Sequence, residues 1–410
     1  MKRKGPIKVL VMIFALLLFV AVPLMAACAP AEEKVARLLR LGDYTGPIAV
    51  LSIPADQGVE DYFAYVNDRG GVDGVKLILV SIDTRYDVAR GVSAFVAHQY
   101  DPMLLMVDPV STPMTEALAP LIADRGFINY GTCDGKFQAE LGRTFLWGVP
   151  YQDGFAAFID WAVEDWQAKG NPGTPTMGYI NWDNAYGYEY MKGGQEYADL
   201  LGVTLLDPEY YPTTELDHSP YLMRLRDGGA NYIFVGGVEP AGTNVIRKAY
   251  EMGLTDDIVF CADWWGVSKA GASAHADELE GALIVSFFLR GAEAEQTFAG
   301  DLWVESGRGT LEDMNEVYAM GVALSKNFEE GVRLALQEVG YEGLDGEALY
   351  DAFQQLTGME RLGVVGPCAY DEDDRRGSTV VKFYQVQNGE IVAITDWREA
   401  PDSVSLHYGD

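Results

Sequence analysis

From Val35 onward, short apolar runs alternate with stretches in which apolar residues recur every three or four positions. This pattern dictates parallel sheets covered by helices, because a strand must return along a crossover before it can pair in parallel with the next. Strands are predicted at 38–41, 75–82, 104–107 and 127–130. Helical spacing lies between them, at Val59, Tyr62, Phe63 and Val66 and again at Val88, Val92, Phe95 and Val96. A second series starts near Pro150, with strands at 177–180, 203–206, 232–235, 258–261 and 283–287 and helices at 186–201, 221–226 and 242–252. Two such series imply two α/β lobes that face each other, with the loops at the carboxyl ends of their strands lining the gap. The rhythm then changes: 315–339 is a long amphipathic helix, 346–356 another, and 380–386 with 391–397 a hairpin turned by Asn388-Gly389. The expected fold class is therefore α/β, two Rossmann-like lobes with parallel sheets joined by a multi-strand hinge.

The first thirty residues say where the chain works. Lys2, Arg3, Lys4 and Lys8 make a basic start, the run from Val9 to Met25 is apolar apart from Pro23, and small residues stand directly before Cys28. That is the layout of an export signal. The cysteine after small residues resembles the lipobox of bacterial lipoproteins, which implies acylation of Cys28 and anchoring to the outer face of a membrane. The expected division is a signal at 1–27, a tether at 28–34, an N-terminal lobe at 35–148 plus about 288–358, a C-terminal lobe at 149–287 plus about 359–397, and a tail at 398–410. The alternative for the first segment is an uncleaved membrane helix, but the apolar run is short for a span.

The formal charge of −31 becomes −35 once the four basic residues of the signal are removed. Such a charge argues against nucleic acid and anionic membrane surfaces as partners. It leaves the ligand open, since charges beyond roughly 8 Å are screened at physiological ionic strength. Cys133, Cys261 and Cys368 are an odd number, so at most one disulfide is expected. No zinc spacing, Walker loop, His-Glu-x-x-His, Gly-x-Ser-x-Gly or Gly-x-Gly-x-x-Gly is found, so no cofactor, metal or enzymatic activity is expected.

The informative segment is Asp108-Pro109-Val110-Ser111-Thr112-Pro113, which follows a buried strand and opens a helix with a hydroxyl residue at the cap. Free N–H groups and hydroxyls at a helix start suit a carboxylate, although the same residues also serve as a plain cap. Thr132 and Cys133 follow the next strand and should lie beside it. In the second lobe Tyr186, Glu239, Asp263 and Trp264 occupy equivalent loops. Glu239 or Asp263 is suited to an ammonium, and Tyr186 and Trp264 to walling an apolar side chain. The plain alternative for each is a solvated loop acid or a core aromatic.

At these positions the sequence resembles the branched-chain amino acid binding proteins, the leucine/isoleucine/valine branch of the type I periplasmic binding proteins. Gly42-Asp43-Tyr44-Thr45-Gly46-Pro47 is similar to that family's opening loop, and the run from Asn67 through Gly70-Gly71-Val72-Asp73-Gly74 to Leu77 is similar to its Asn-x-x-Gly-Gly-Val-x-Gly signature. Asp83, Ser111, Tyr186-Gly187, Gly236-Gly237 and Asp263-Trp264 fall in family order. The resemblance implies a hinged clam-shell, or Venus flytrap, that serves an ABC permease. Ser111, Thr112 and the Thr132-Cys133 loop would hold a ligand carboxylate, while Asp263, with Glu239 in reserve, would meet an ammonium. Cys133, Trp147 and the pair Trp264-Trp265 depart from the family pattern, which leaves open a larger amino acid, an amide or an aromatic carboxylate. A ligand-sensing subunit of a receptor and a secreted hydrolase are the competing expectations.

Overall fold

A computed structural model describes residues 33–409, so the signal, Cys28 and most of the tether lie outside the described residues. Val35–Gly42 (β1), Lys76–Asp83 (β2), Leu104–Pro109 (β3), Ile128–Gly131 (β4) and Thr144–Leu146 (β5) form an all-parallel sheet in the order β2-β1-β3-β4-β5. Both faces are buried, as a doubly wound sheet requires. Leu39, Leu41 and Val107 enter one apolar cluster with Met114 and Leu118, whereas Ala36, Leu38 and Met106 join the main core on the opposite side.

The second sheet is larger and mixed. Thr176–Trp182 (β6), Thr204–Leu205 (β7), Glu209–Tyr211 (β8), Tyr232–Val235 (β9), Val259–Ala262 (β10) and Leu283–Ser286 (β11) pair in parallel. Val380–Gln387 (β12) adds to β11 in antiparallel sense, followed by Glu390–Ala393 (β13), while Arg398–Glu399 (β14) pairs with β12. Asn388 and Gly389 both have positive φ, which is the requirement of the two-residue turn that their sequence announces.

Six helices position the site and its supports: Ala49–Asp68 (α1), Thr112–Asp124 (α2), Tyr151–Ala168 (α3), Ala185–Glu189 (α4), Met191–Leu201 (α5) and Glu316–Val339 (α6). The last of them returns to the first sheet and packs on α1 at very close range. A Cβ added to Gly58 would fall 2.3 Å from the Tyr318 carbonyl oxygen, and one added to Gly321 would fall 2.2 Å from that of Ala55. The continuous helix expected over 186–201 is broken in two: Lys192 and Gly193 leave the helical region, and Gly193, at φ +97°, lets the Ser403 carbonyl approach where a Cβ would sit 2.2 Å away. The cause is tertiary contact with the C-terminal segment, which overrides local helical spacing.

The chain passes between the sheets three times, after β5, after β11 and before β12. The buried Arg361 guanidinium ties these passages together, donating to the Trp147 carbonyl at 2.9 Å and to that of Gly366 at 2.7 Å. Backbone bonds from Leu289 to Val364 and from Gly377 to Gly148 complete the lacing. Three cross-linked passages can bend together, but none can swing alone. Cys133, Cys261 and Cys368 are all buried free thiols.

Candidate functional site

Every strand of the first sheet delivers a residue from its carboxyl end to one small cleft of about 310 Å³. Ile48 follows β1, Tyr86 follows β2, Val110, Ser111 and Thr112 follow β3, Thr132 follows β4, and Trp147 follows β5. The second sheet answers with Tyr186 beyond β6, Val238 beyond β9 and Trp265 beyond β10, and Tyr151 at the start of α3 closes one side. Order reverses between β1 and β3, and the crevice at such a switch point is where open α/β sheets bind ligands. The halves touch here: the Tyr86 ring meets Trp182 edge-on with centroids 6.2 Å apart.

The first wall is built by helix capping. Ser111 adopts an extended conformation and its Oγ accepts from the Met114 N–H at 3.3 Å, as an N-cap should. Pro113 follows inside the first turn, and Thr115 anchors the turn by donating to the carbonyls of Pro109 and Ser111. Thr112 Oγ1 and Thr132 Oγ1 share a proton across 3.0 Å. Beneath them lies a buried charge network in which Arg40 bonds Asp56 and Asp108 and sits 5.7 Å from the Trp147 ring. Burial is the largest influence on Asp108 and raises its carboxyl to about 7 despite the guanidinium.

The second wall is aromatic, and its acid stands behind it. Asp263 is fully buried and absent from the cleft surface: one carboxylate oxygen accepts from both the Tyr186 and Tyr190 hydroxyls, and the other accepts from the Trp265 N–H at 3.0 Å. Burial pushes this carboxyl up to about 6, opposed by those donors. Tyr186 also accepts from the Gly237 N–H at 3.0 Å, so its hydroxyl is committed on both sides.

Of the residues expected at the site, Ser111, Thr112, Thr132 and Tyr186 share the cleft, whereas Cys133, Glu239, Asp263 and Trp264 do not line it. Cys133 is turned inward, where burial pushes its thiol up. Trp264 stacks on Tyr151 with rings 5.5 Å apart and forms the layer behind. Glu239 faces a neighbouring hollow of about 270 Å³, held by the Thr243 hydroxyl at 2.6 Å and the Ser268 N–H at 3.2 Å. Tyr86, Tyr151, Trp147 and Trp265 also line the cleft, and in the sequence the two tryptophans stand out only as departures from the family pattern. The signal for Tyr151 is an aromatic directly after Pro150 at a passage between the sheets, whereas Tyr86 depends on positive φ at Arg85 and Tyr86, which their side chains do not announce.

Among the described residues one group of carboxylates converges: Glu116 of α2, Asp134 beyond β4 and Glu189 of α4, with oxygens within 4.8 Å of one another. Lys192 pairs with Glu189, and burial followed by the Glu189 charge holds the Asp134 carboxyl well above its usual range. Among the described residues no helix is long and apolar enough to cross a membrane.

Comparison with known proteins agrees with the fold. The family model described as periplasmic binding protein matches residues 39–390. The chain is 23% identical to a Leu/Ile/Val-binding protein homolog 7 of Brucella abortus (strain 2308) over 399 residues, covering 90% of this chain and 94% of that one. A match to a Leu/Ile/Val-binding protein homolog 3 of Brucella melitensis is 22% identical and spans 51% of this chain and only 56% of that protein. Among solved structures, a branched chain amino acid ABC transporter protein from Thermus thermophilus with bound valine superposes at TM-score 0.81 and 19% identity, over 92% of this chain and 100% of that one. A fatty acid ABC transporter substrate-binding protein from Thermomonospora curvata superposes at 0.78 and 16% identity, over 93% and 96%.

Proposed function

Since the chain belongs to the periplasmic binding protein family, we propose that it is the extracytoplasmic receptor of an ABC importer, closing over a small carboxylate- or amide-bearing solute and delivering it to a membrane permease. One observation carries this reading: strand ends of both sheets converge on a single cleft with hydroxyls on one side and aromatic rings on the other. A solute that touches both walls binds the closed form better than the open one, so it shifts the population toward closure. The laced passages at Arg361 supply the hinge on which that shift turns. The relatives named for leucine, isoleucine and valine, and the neighbours holding valine or named for a fatty acid, support a carboxylate as the common handle. Acylation at Cys28 would keep the receptor beside its permease.

Function as a receptor predicts binding without turnover. In a thermal-shift screen of small metabolites, a true ligand raises the melting temperature of the wild type, since it binds only the native state. Ser111→Ala should lose roughly tenfold or more in affinity for that ligand, the worth of one hydrogen bond to a charged group. Unchanged affinity in Ser111→Ala would place the ligand elsewhere.

A further inference from the structure

The cleft contains no charged side chain among its lining residues, and its first wall carries the hydroxyls of Ser111, Thr112 and Thr132. Trp265 Nε1 donates to the Tyr151 hydroxyl at 3.4 Å, and Thr112 bonds Thr132 at 3.0 Å. The Thr112 and Thr132 hydroxyls carry two protons and the link between them consumes one, so one proton remains to donate to a guest. Ser111 accepts from Met114 and keeps its own proton free, which supplies a second donor at the start of a 13-residue helix. Two donors at a positive helix end fit the two oxygens of a carboxylate.

An ammonium finds no such provision. Asp263, the acid nearest the second wall, has its oxygens occupied by the Tyr186 and Tyr190 hydroxyls and the Trp265 amide, and Tyr186 stands between it and the cleft. Glu239 is held in the adjoining hollow by Thr243 and Ser268. A protonated amine entering the cleft would lose hydration among aromatic rings with no counter-charge to replace it.

Resting on the receptor reading, we infer that the ligand is a carboxylate without an ammonium group, carrying an aromatic or branched apolar body, because Tyr186 and Tyr190 seal the acid that an amino group would need. The aromatic and branched apolar side chains that line the cleft suit a single ring or a short branched chain.

Calorimetry on the wild-type protein with matched pairs tests this: 3-phenylpropanoate against phenylalanine, and 4-methylpentanoate against leucine. The expected result is that the acid of at least one pair binds, at least about tenfold tighter than its amino acid, the difference being a desolvated, uncompensated ammonium. Equal or tighter binding of the amino acids overturns the inference and leaves the receptor reading standing. Should neither pair bind while another metabolite raises the melting temperature, the inference falls and the receptor reading again survives. If no solute raises it, both fall.

Discussion

The two walls of the cleft use the same chemical group in opposite ways. On the first, the hydroxyls of Ser111 and the Thr112-Thr132 pair sit at strand ends with protons to spare. On the second, the hydroxyls of Tyr186 and Tyr190 point inward and are consumed by Asp263. A hydroxyl with a free proton contributes to affinity, and one bonded to a buried acid contributes to stability. The proposed division of labour is that the first wall recognises the solute, while the second is an apolar plate whose tyrosine hydroxyls are bonded to Asp263.

The largest expected effect comes from the acids beneath the walls. Asp108 is raised to about 7 and Asp263 to about 6, both by burial. An acid whose folded value lies above its unfolded value of about 3.9 stabilises the fold fully below that unfolded value, and the contribution is lost as pH rises through the folded one. Unfolding free energy should accordingly fall between pH 4 and pH 7, by roughly 3 kcal/mol from Asp263 at about 1.4 kcal/mol per pKa unit. Denaturant titrations across that range should show Asp263→Asn removing the part that ends near pH 6, and Asp108→Asn the part that ends near pH 7. A pH profile that neither substitution changes would mean that the two walls do not rest on these carboxyls.

A smaller effect separates the walls directly. Tyr190→Phe deletes one donor to Asp263 without altering the cleft surface, and should cost about 1–3 kcal/mol of stability while leaving ligand affinity within about twofold. Denaturation and calorimetry on the same variant check both halves. A large loss of affinity with unchanged stability would invert the proposed division.

Much of the first wall was legible because its signals are local. A hydroxyl before Thr-Pro at the end of an apolar strand announces an N-cap, and Ser111 caps as its sequence requires. The sheet pattern was equally legible: β9 spans the predicted residues, and the Asn388-Gly389 hairpin closes as expected. The second wall was not, because its geometry is set by distant partners. Nothing near Asp263 says that Tyr186 and Tyr190, more than 70 positions earlier, will cover it. Nor does local spacing show that Gly193 must break a helix to admit the Ser403 backbone. The helix Tyr151–Ala168 was not among the predicted elements, although Phe155, Phe158, Ile159 and Ala162 stand at helical spacing within it.

That a solute gripping both walls shuts the hinge is open to one direct measurement. Spin labels placed on Val96→Cys and Leu216→Cys, exposed positions on the first and second halves, report the interlobe distance, and the three thiols among the described residues, Cys133, Cys261 and Cys368, are buried. Saturation with the tightest-binding acid of the matched pairs should shorten and narrow the distance distribution. An unchanged distribution at a ligand concentration where calorimetry shows full occupancy would contradict the account.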